Sequence, residues 1–129
     1  MRQVYDYVIV GAGAAGCVLA NRLSAQPDRT VLVLEAGEPM QGLYCKAPAA
    51  FPRLFKGPYD WAFFTEPQAE LEGRSLYWPR GKGLGGSSGI NAMIVIRGNP
   101  RDYDDWQQPG WSFAEVLPYF KKLETHPLG

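Results

Sequence analysis

The sequence predicts an α/β protein that opens on a parallel β–α–β unit, the first part of a doubly wound sheet that the chain leaves incomplete. Three observations carry this. Residues 4–10, Val-Tyr-Asp-Tyr-Val-Ile-Val, form a short β-branched and aromatic run ending at a glycine, the mark of a buried strand. Residues 14–25 place Ala15, Val18, Leu19 and Leu23 on one helical face, with Asn21, Arg22 and Ser24 turned away. Residues Thr30–Leu34 are apolar without alternation, as in a parallel strand covered on both faces. Strand, helix and strand within about 30 residues make a right-handed crossover unit.

The turn Gln26-Pro27-Asp28-Arg29 separates helix from second strand, since Pro27 cannot continue the helix. From Gly37 to Leu76 periodicity fades. Pro39, Pro48, Pro52, Pro58 and Pro67 punctuate this stretch, and Phe51, Phe55, Tyr59, Trp61, Phe63 and Phe64 crowd it. It reads as a long loop packed over something. A second glycine-rich block starts after Trp78. Ile94-Val95-Ile96, within Ala92–Arg97, then reads as a strand. Ser112 and Glu115 have capping-box spacing and open a C-terminal helix over Phe113–Glu124, which Pro118 should bend. The organisation expected is therefore a β–α–β unit over 1–37, an aromatic and proline-rich loop over 38–77, a second glycine block over 78–98 and the start of a helical region over 99–129.

Composition sets outer bounds. The chain has 129 residues, enough for one domain at most. Thirteen basic side chains balance thirteen acidic ones, so the net charge is zero and a nucleic-acid partner is disfavoured. Fifteen glycines and eleven prolines commit much of the chain to loops. Cys17 and Cys45 are the only cysteines, and no zinc spacing, Cys-x-x-Cys or Ser/His/Asp set accompanies them. Cys17 reads as helix packing, and two thiols without a framework fit a reducing compartment. The apolar run from Val8 to Ala20 follows a basic Arg2, but Asp6, Gly11, Gly13 and Gly16 break it as a leader. It is also too short to span a bilayer. A cytoplasmic location, or one peripheral to a bacterial inner membrane, is expected.

Gly11-Ala12-Gly13-Ala14-Ala15-Gly16 is a G-x-G-x-x-G motif in the context its mechanism needs, strand before and helix after, as in a Rossmann-like fold. Gly11 allows the tight turn, Gly13 lets a pyrophosphate approach the backbone, and Gly16 lets helix and strand pack closely. Anions are favoured at the helix N-terminus. Glu35 ends the second strand, where a carboxylate accepts hydrogen bonds from ribose hydroxyls. The motif alone does not choose between flavin and nicotinamide dinucleotides. A bland alternative, a packing turn with a solvated Glu35, leaves the conjunction of three glycines and an acid unexplained.

Gly81-Lys82-Gly83-Leu84-Gly85-Gly86-Ser87-Ser88-Gly89-Ile90-Asn91 reads as a second, backbone-rich anion cradle followed by a side chain that donates and accepts. It suggests a long cofactor laid along the chain. With Leu34-Glu35-Ala36-Gly37, Tyr59-Asp60-Trp61, Trp78-Pro79-Arg80-Gly81-Lys82, Ile96-Arg97-Gly98, Asp102-Tyr103-Asp104-Asp105-Trp106 and Val116-Leu117-Pro118-Tyr119-Phe120, it makes nearly the whole chain resemble the glucose–methanol–choline (GMC) oxidoreductases. The likeness is greatest to the choline-dehydrogenase-like and acceptor-linked alcohol dehydrogenase branch.

The resemblance implies FAD as cofactor, and an enzyme that oxidises the CH–OH group of a small alcohol and returns electrons to oxygen or a quinone-type acceptor. It implies that Gly11, Gly13, Ala14, Ala15 and Gly16 hold the pyrophosphate, and Glu35 with Ala36 the adenosine ribose. Gly83 and Leu84 would lie beside the flavin, and Asn91, Ala92, Met93 and Ile94 would present backbone to it. Trp61 and Arg80 would be near neighbours, although Trp61 reads equally as a buried loop anchor. Some members tether FAD through a histidine at the position of Ile90, so binding here is expected to be non-covalent. Val95 departs from the aromatic or alanine usual in the signature, which bears on local packing. Family members run several times longer and carry their catalytic histidine late in the chain. His126, the single histidine, has no such context and reads as a surface residue. The chain thus matches the N-terminal part of such an enzyme and is expected to be inactive alone. The alternatives are a non-catalytic remnant or a small NAD-binding module.

Overall fold

The computed structural model describes residues 3–124. Two compact units divide the chain, Met1–Met93 and Ile94–Gly129. His126 lies outside the described residues.

In the first unit β1 (Tyr7–Val10) leads through the first glycine loop into α1 (Ala14–Leu23) and on to β2 (Val31–Leu34). The strands pair in parallel, Tyr7 opposite Val31 through Val10 opposite Leu34. The predicted β–α–β unit is therefore present. β1 starts three residues later than expected because Asp6 and Thr30 end the ladder with their side chains. The Asp6 carboxylate accepts from the Thr30 N–H and hydroxyl, both at 2.8 Å, and Thr30 Oγ1 accepts from the Asp6 N–H at 3.1 Å. Gly16 sets the helix–strand spacing, since a Cβ there would overlap the Gly11 carbonyl.

Expected apolar faces of this unit are only partly covered. Val8, Val10, Val18 and Leu19 are half or more exposed, and α1 buries none of its residues. Among the described residues this sheet has two strands, with no third strand beside them, and α1 alone covers part of it.

The stretch expected to be one loop instead folds into short pieces. These are α2 (Leu43–Lys46), a 3₁₀ segment (Pro48–Leu54) whose Leu54 is buried, and an antiparallel pair. In that pair β3 (Phe63–Phe64) lies against β4 (Tyr77–Trp78). Proline at the start of the 3₁₀ segment suits its fixed φ, and aromatic cross-strand neighbours suit a pleated pair. The predicted strand at Ile94–Ile96 does not form. These residues are 75–83% exposed and no strand pairs with them among the described residues, so this apolar β-branched run forms no ladder.

The second unit holds α3 (Pro100–Asp104) and α4 (Phe113–Leu123). Asn99 caps α3 by accepting from the Arg101 N–H at 3.0 Å. The Ser112/Glu115 capping box forms as predicted, and α4 runs through Pro118 to Leu123. The Asp104 carboxylate accepts from the Phe113 N–H at 2.9 Å and ties the two helices. Tyr103 meets Trp106, Phe113 and Phe120 ring to ring, at centroid distances of 5.3–5.8 Å. Arg97 closes the unit with a two-pronged ion pair to Glu124.

Candidate functional site

A groove of about 470 Å³ opens in the first unit along the ends of β1 and β2. The first glycine loop forms one side through Gly11 and Gly13. The β1 end contributes Val10, the β2 end Leu34, Glu35 and Ala36, and Trp61, Phe63, Arg80, Gly81, Gly86 and Ser87 complete the lining.

Gly11 takes φ +94°, which a side chain would strain. Gly13 is different. Its φ of −70° suits any residue, and a Cβ there would meet only Gly86 Cα, at 4.0 Å. The space before it is open on the groove side. Gly13 is also the N-cap of α1. No side chain caps that end and no acid stands in the first turn, so the N-terminus of the helix carries no side-chain partner, an arrangement that suits an anion. A pyrophosphate fits these features.

Glu35 does more than end a strand. Its carboxylate accepts from the Ala12 N–H at 2.7 Å and from the Gly37 N–H at 2.9 Å. It therefore braces the glycine loop against the turn after β2. These backbone donors, Ala12 foremost, outweigh partial desolvation and hold the carboxyl below its ordinary pKa.

The second glycine block turns many of its N–H groups inward rather than toward a ligand. Gly85 donates to the Ala12 carbonyl at 2.7 Å, Gly86 to Gly83, Ser88 to Gly85 and Ile90 to Ser87. Gly81 donates to the Ser87 hydroxyl at 3.0 Å. Gly85 pairs alongside Gly13. Side chains are missing here because backbone lies on backbone, as at Gly37, where a Cβ would overlap Lys82 and Gly83. The block buttresses the first loop, and Ile90 at its end is 2% exposed in the core.

Sequence reading and structure agree in bringing Gly11, Gly13, Glu35, Ala36, Trp61 and Arg80 to one groove. Trp61 is 43% exposed, which removes the buried-anchor reading. It stacks on Phe63 with ring centroids 5.7 Å apart and carries Lys82 Nζ at 4.8 Å over its face. Gly16 serves packing behind the loop. Ala14, Ala15, Gly83, Leu84, Asn91, Ala92 and Met93 do not line the groove, and Ile94 begins the other unit. Asn91 turns its carbonyl oxygen back to the Met93 N–H at 2.9 Å, and Met93 takes φ +57°. Val10, Leu34, Phe63, Gly81, Gly86 and Ser87 line the groove without having been assigned individually to the cofactor. For Phe63, Gly86 and Ser87, only their register beside Trp61 and Gly85 could have signalled it.

A parallel β–α–β unit with an uncapped glycine N-terminus and an acid closing the second strand defines a dinucleotide-binding protein of the Rossmann type. Residues 5–129 match the family described as GMC oxidoreductase, and the chain belongs to that family. It is 52% identical over 125 residues to an alcohol dehydrogenase [acceptor] of Pseudomonas putida, covering 94% of this chain and 23% of that protein. It is 48% identical over 129 residues to an oxygen-dependent choline dehydrogenase of Photobacterium profundum, covering 97% and 23%. Among solved structures, pyridoxine 4-oxidase from Mesorbium loti superposes with a TM-score of 0.89 at 45% identity, covering 98% of this chain and 26% of that one. The chain thus spans about a quarter of the length of these relatives.

Proposed function

We propose that the chain is the FAD-holding part of an oxidoreductase acting on the CH–OH group of a small alcohol. The observation that carries this is the open N-terminus of α1, set in one groove with Glu35, Trp61 and Arg80. Gly11, Gly13 and the N–H groups of Ala14 and Ala15 receive the pyrophosphate. Glu35 and Ala36 receive the adenosine ribose. Arg80 lends positive charge to the groove wall. Gly83, Leu84 and the Asn91–Ile94 segment extend toward the isoalloxazine.

When bound, FAD supplies a hydride acceptor for the alcohol carbon. Binding is non-covalent, because Ile90 is a buried hydrocarbon with no atom to bond a flavin. The names of the two relatives, one oxygen-dependent and one acceptor-linked, support oxygen or a quinone-type molecule as the electron acceptor. No described helix is long and apolar enough to cross a membrane.

The test is FAD titration of the purified protein, wild type against Gly13→Val, followed by acid precipitation. Saturable binding lost in the variant, with flavin released to the supernatant, is expected. Binding indifferent to Gly13→Val overturns the groove, and flavin retained in the pellet overturns non-covalent attachment.

A further inference from the structure

Asp60 is the one charged side chain buried among the described residues, at 7% exposure, and it does not line the groove. Its carboxylate is fully engaged. Oδ1 accepts from the Ala62 N–H at 3.0 Å and the Arg80 N–H at 2.9 Å. Oδ2 accepts from the Lys56 N–H at 2.8 Å and from the Tyr77 hydroxyl. Two of these donors belong to non-glycine residues in left-handed backbone, Lys56 at φ +56° and Ala62 at φ +50°. Such conformations persist where the surroundings over-determine them. Here one carboxylate gathers both strained amides and binds them to Tyr77 of β4 and to Arg80, two residues beyond it.

What lies next to this knot is the groove wall. Trp61 sits between Asp60 and the strained Ala62, and its N–H donates to the Arg80 carbonyl at 2.8 Å. Arg80 in turn gives its own N–H to Asp60. Tyr59 and Lys82 continue the pairing, with the Lys82 N–H donating to the Tyr59 carbonyl at 2.9 Å. The Trp61–Arg80 pairing thus lies directly beside the Asp60 carboxylate.

We propose that Asp60 is a positioning residue of the dinucleotide groove, acting through Trp61 and Arg80 without touching the ligand. This rests on the reading of the groove as the FAD site. Asparagine cannot replace it, because an Nδ2 in place of Oδ2 turns hydrogens toward the Lys56 N–H and leaves that donor with only its longer bond to the Tyr77 hydroxyl at 3.2 Å.

The test is FAD titration of the full chain by flavin fluorescence, with Trp61 followed by its indole N–H resonance. Asp60→Asn is expected to weaken FAD binding three- to tenfold and to shift the Trp61 resonance while those of Trp106 and Trp111 stay in place. In a Trp61→Ala background the same change is expected to cost less than twofold. A merely structural role would multiply with Trp61→Ala. Should Asp60→Asn fail to fold, Tyr77→Phe removes one donor of four and is expected to weaken binding two- to threefold with the same loss of effect beside Trp61→Ala. Gly13→Val separates the two readings. If it abolishes binding while Asp60→Asn and Tyr77→Phe are silent or multiply with Trp61→Ala, the positioning role alone is overturned. If the wild type binds no FAD, or Gly13→Val leaves binding intact, the groove reading falls and this proposal with it.

Discussion

The Glu35 carboxylate and the Ala12 N–H meet at 2.7 Å, across the top of the parallel strand pair. The contact joins the residue that closes β2 to the middle of the first glycine loop, so one acid both shapes the loop and faces the groove. Glu35→Ala is therefore expected to lower stability as well as FAD affinity. Hydrogen bonds to charged groups contribute about 1.5–3 kcal/mol each, and partial exposure here favours the lower end. Urea denaturation of the ligand-free chain, set beside FAD titration, checks both. An unchanged denaturation midpoint with weakened FAD binding would confine Glu35 to the ligand.

Gly13 and Gly16 stand three residues apart and should respond in opposite ways. At Gly13 the backbone φ is −70° and a Cβ finds open space, so Gly13→Ala should leave the ligand-free protein close to wild type. Its cost falls on the pyrophosphate. At Gly16 a Cβ would overlap the Gly11 carbonyl, so Gly16→Ala should destabilise by about 1–3 kcal/mol or more, the range for overpacking against a wall that cannot yield. Thermal melts without ligand, followed by FAD titration, distinguish them. Equal loss of Tm in both variants would show that Gly13 serves the turn.

The β–α–β unit, the Glu35 position and the Ser112/Glu115 cap were legible because each depends on neighbours in sequence: apolar periodicity, glycine spacing, an i to i+3 pair. What was not legible depends on distant backbone. Ile94-Val95-Ile96 has strand composition, but a strand exists only by its partner. The second glycine block looks like an anion cradle until Gly85 is seen bonded to Ala12. Asp60 stands between two aromatics and gives no sign of collecting donors from positions 56, 62, 77 and 80.

Acid should unfold the protein through a defined set of carboxylates. Asp60 is lowered from its ordinary value near 3.8: burial works to raise it, and the Tyr77 hydroxyl and three backbone N–H groups outweigh burial. Asp6 is lowered chiefly by the Thr30 N–H, Glu35 by the Ala12 N–H and Glu115 by the Ser112 hydroxyl. The unfolded chain therefore takes up protons at a higher pH than the folded one. The stabilisation is complete above the ordinary carboxylate range and is lost as pH falls through the lowered folded values. Urea midpoints measured from pH 6 to pH 2.5 should fall steeply below about pH 4, at the ordinary carboxylate values. Asp60→Asn should lower the plateau and flatten the fall. An identical slope in that variant would show that Asp60 keeps its proton equilibrium on unfolding.

Alcohol oxidation needs a group that takes the hydroxyl proton as hydride leaves the carbon, and the described groove offers none. Its titratable side chains are Glu35 and Arg80. Glu35 is braced by backbone N–H groups and lowered in pKa, which makes it a weak base, and a guanidinium offers donors and no acceptor. Asp60 lies outside the lining with four donors on its carboxylate. A positioned general base typically contributes about 10²–10⁴-fold to rate. The 129-residue chain, even with FAD bound, is therefore expected to show no turnover. The measurement is reduction of an artificial dye in the presence of choline, benzyl alcohol or a medium-chain alcohol. Steady turnover that disappears in His126→Ala would show that the single histidine supplies the base within this chain.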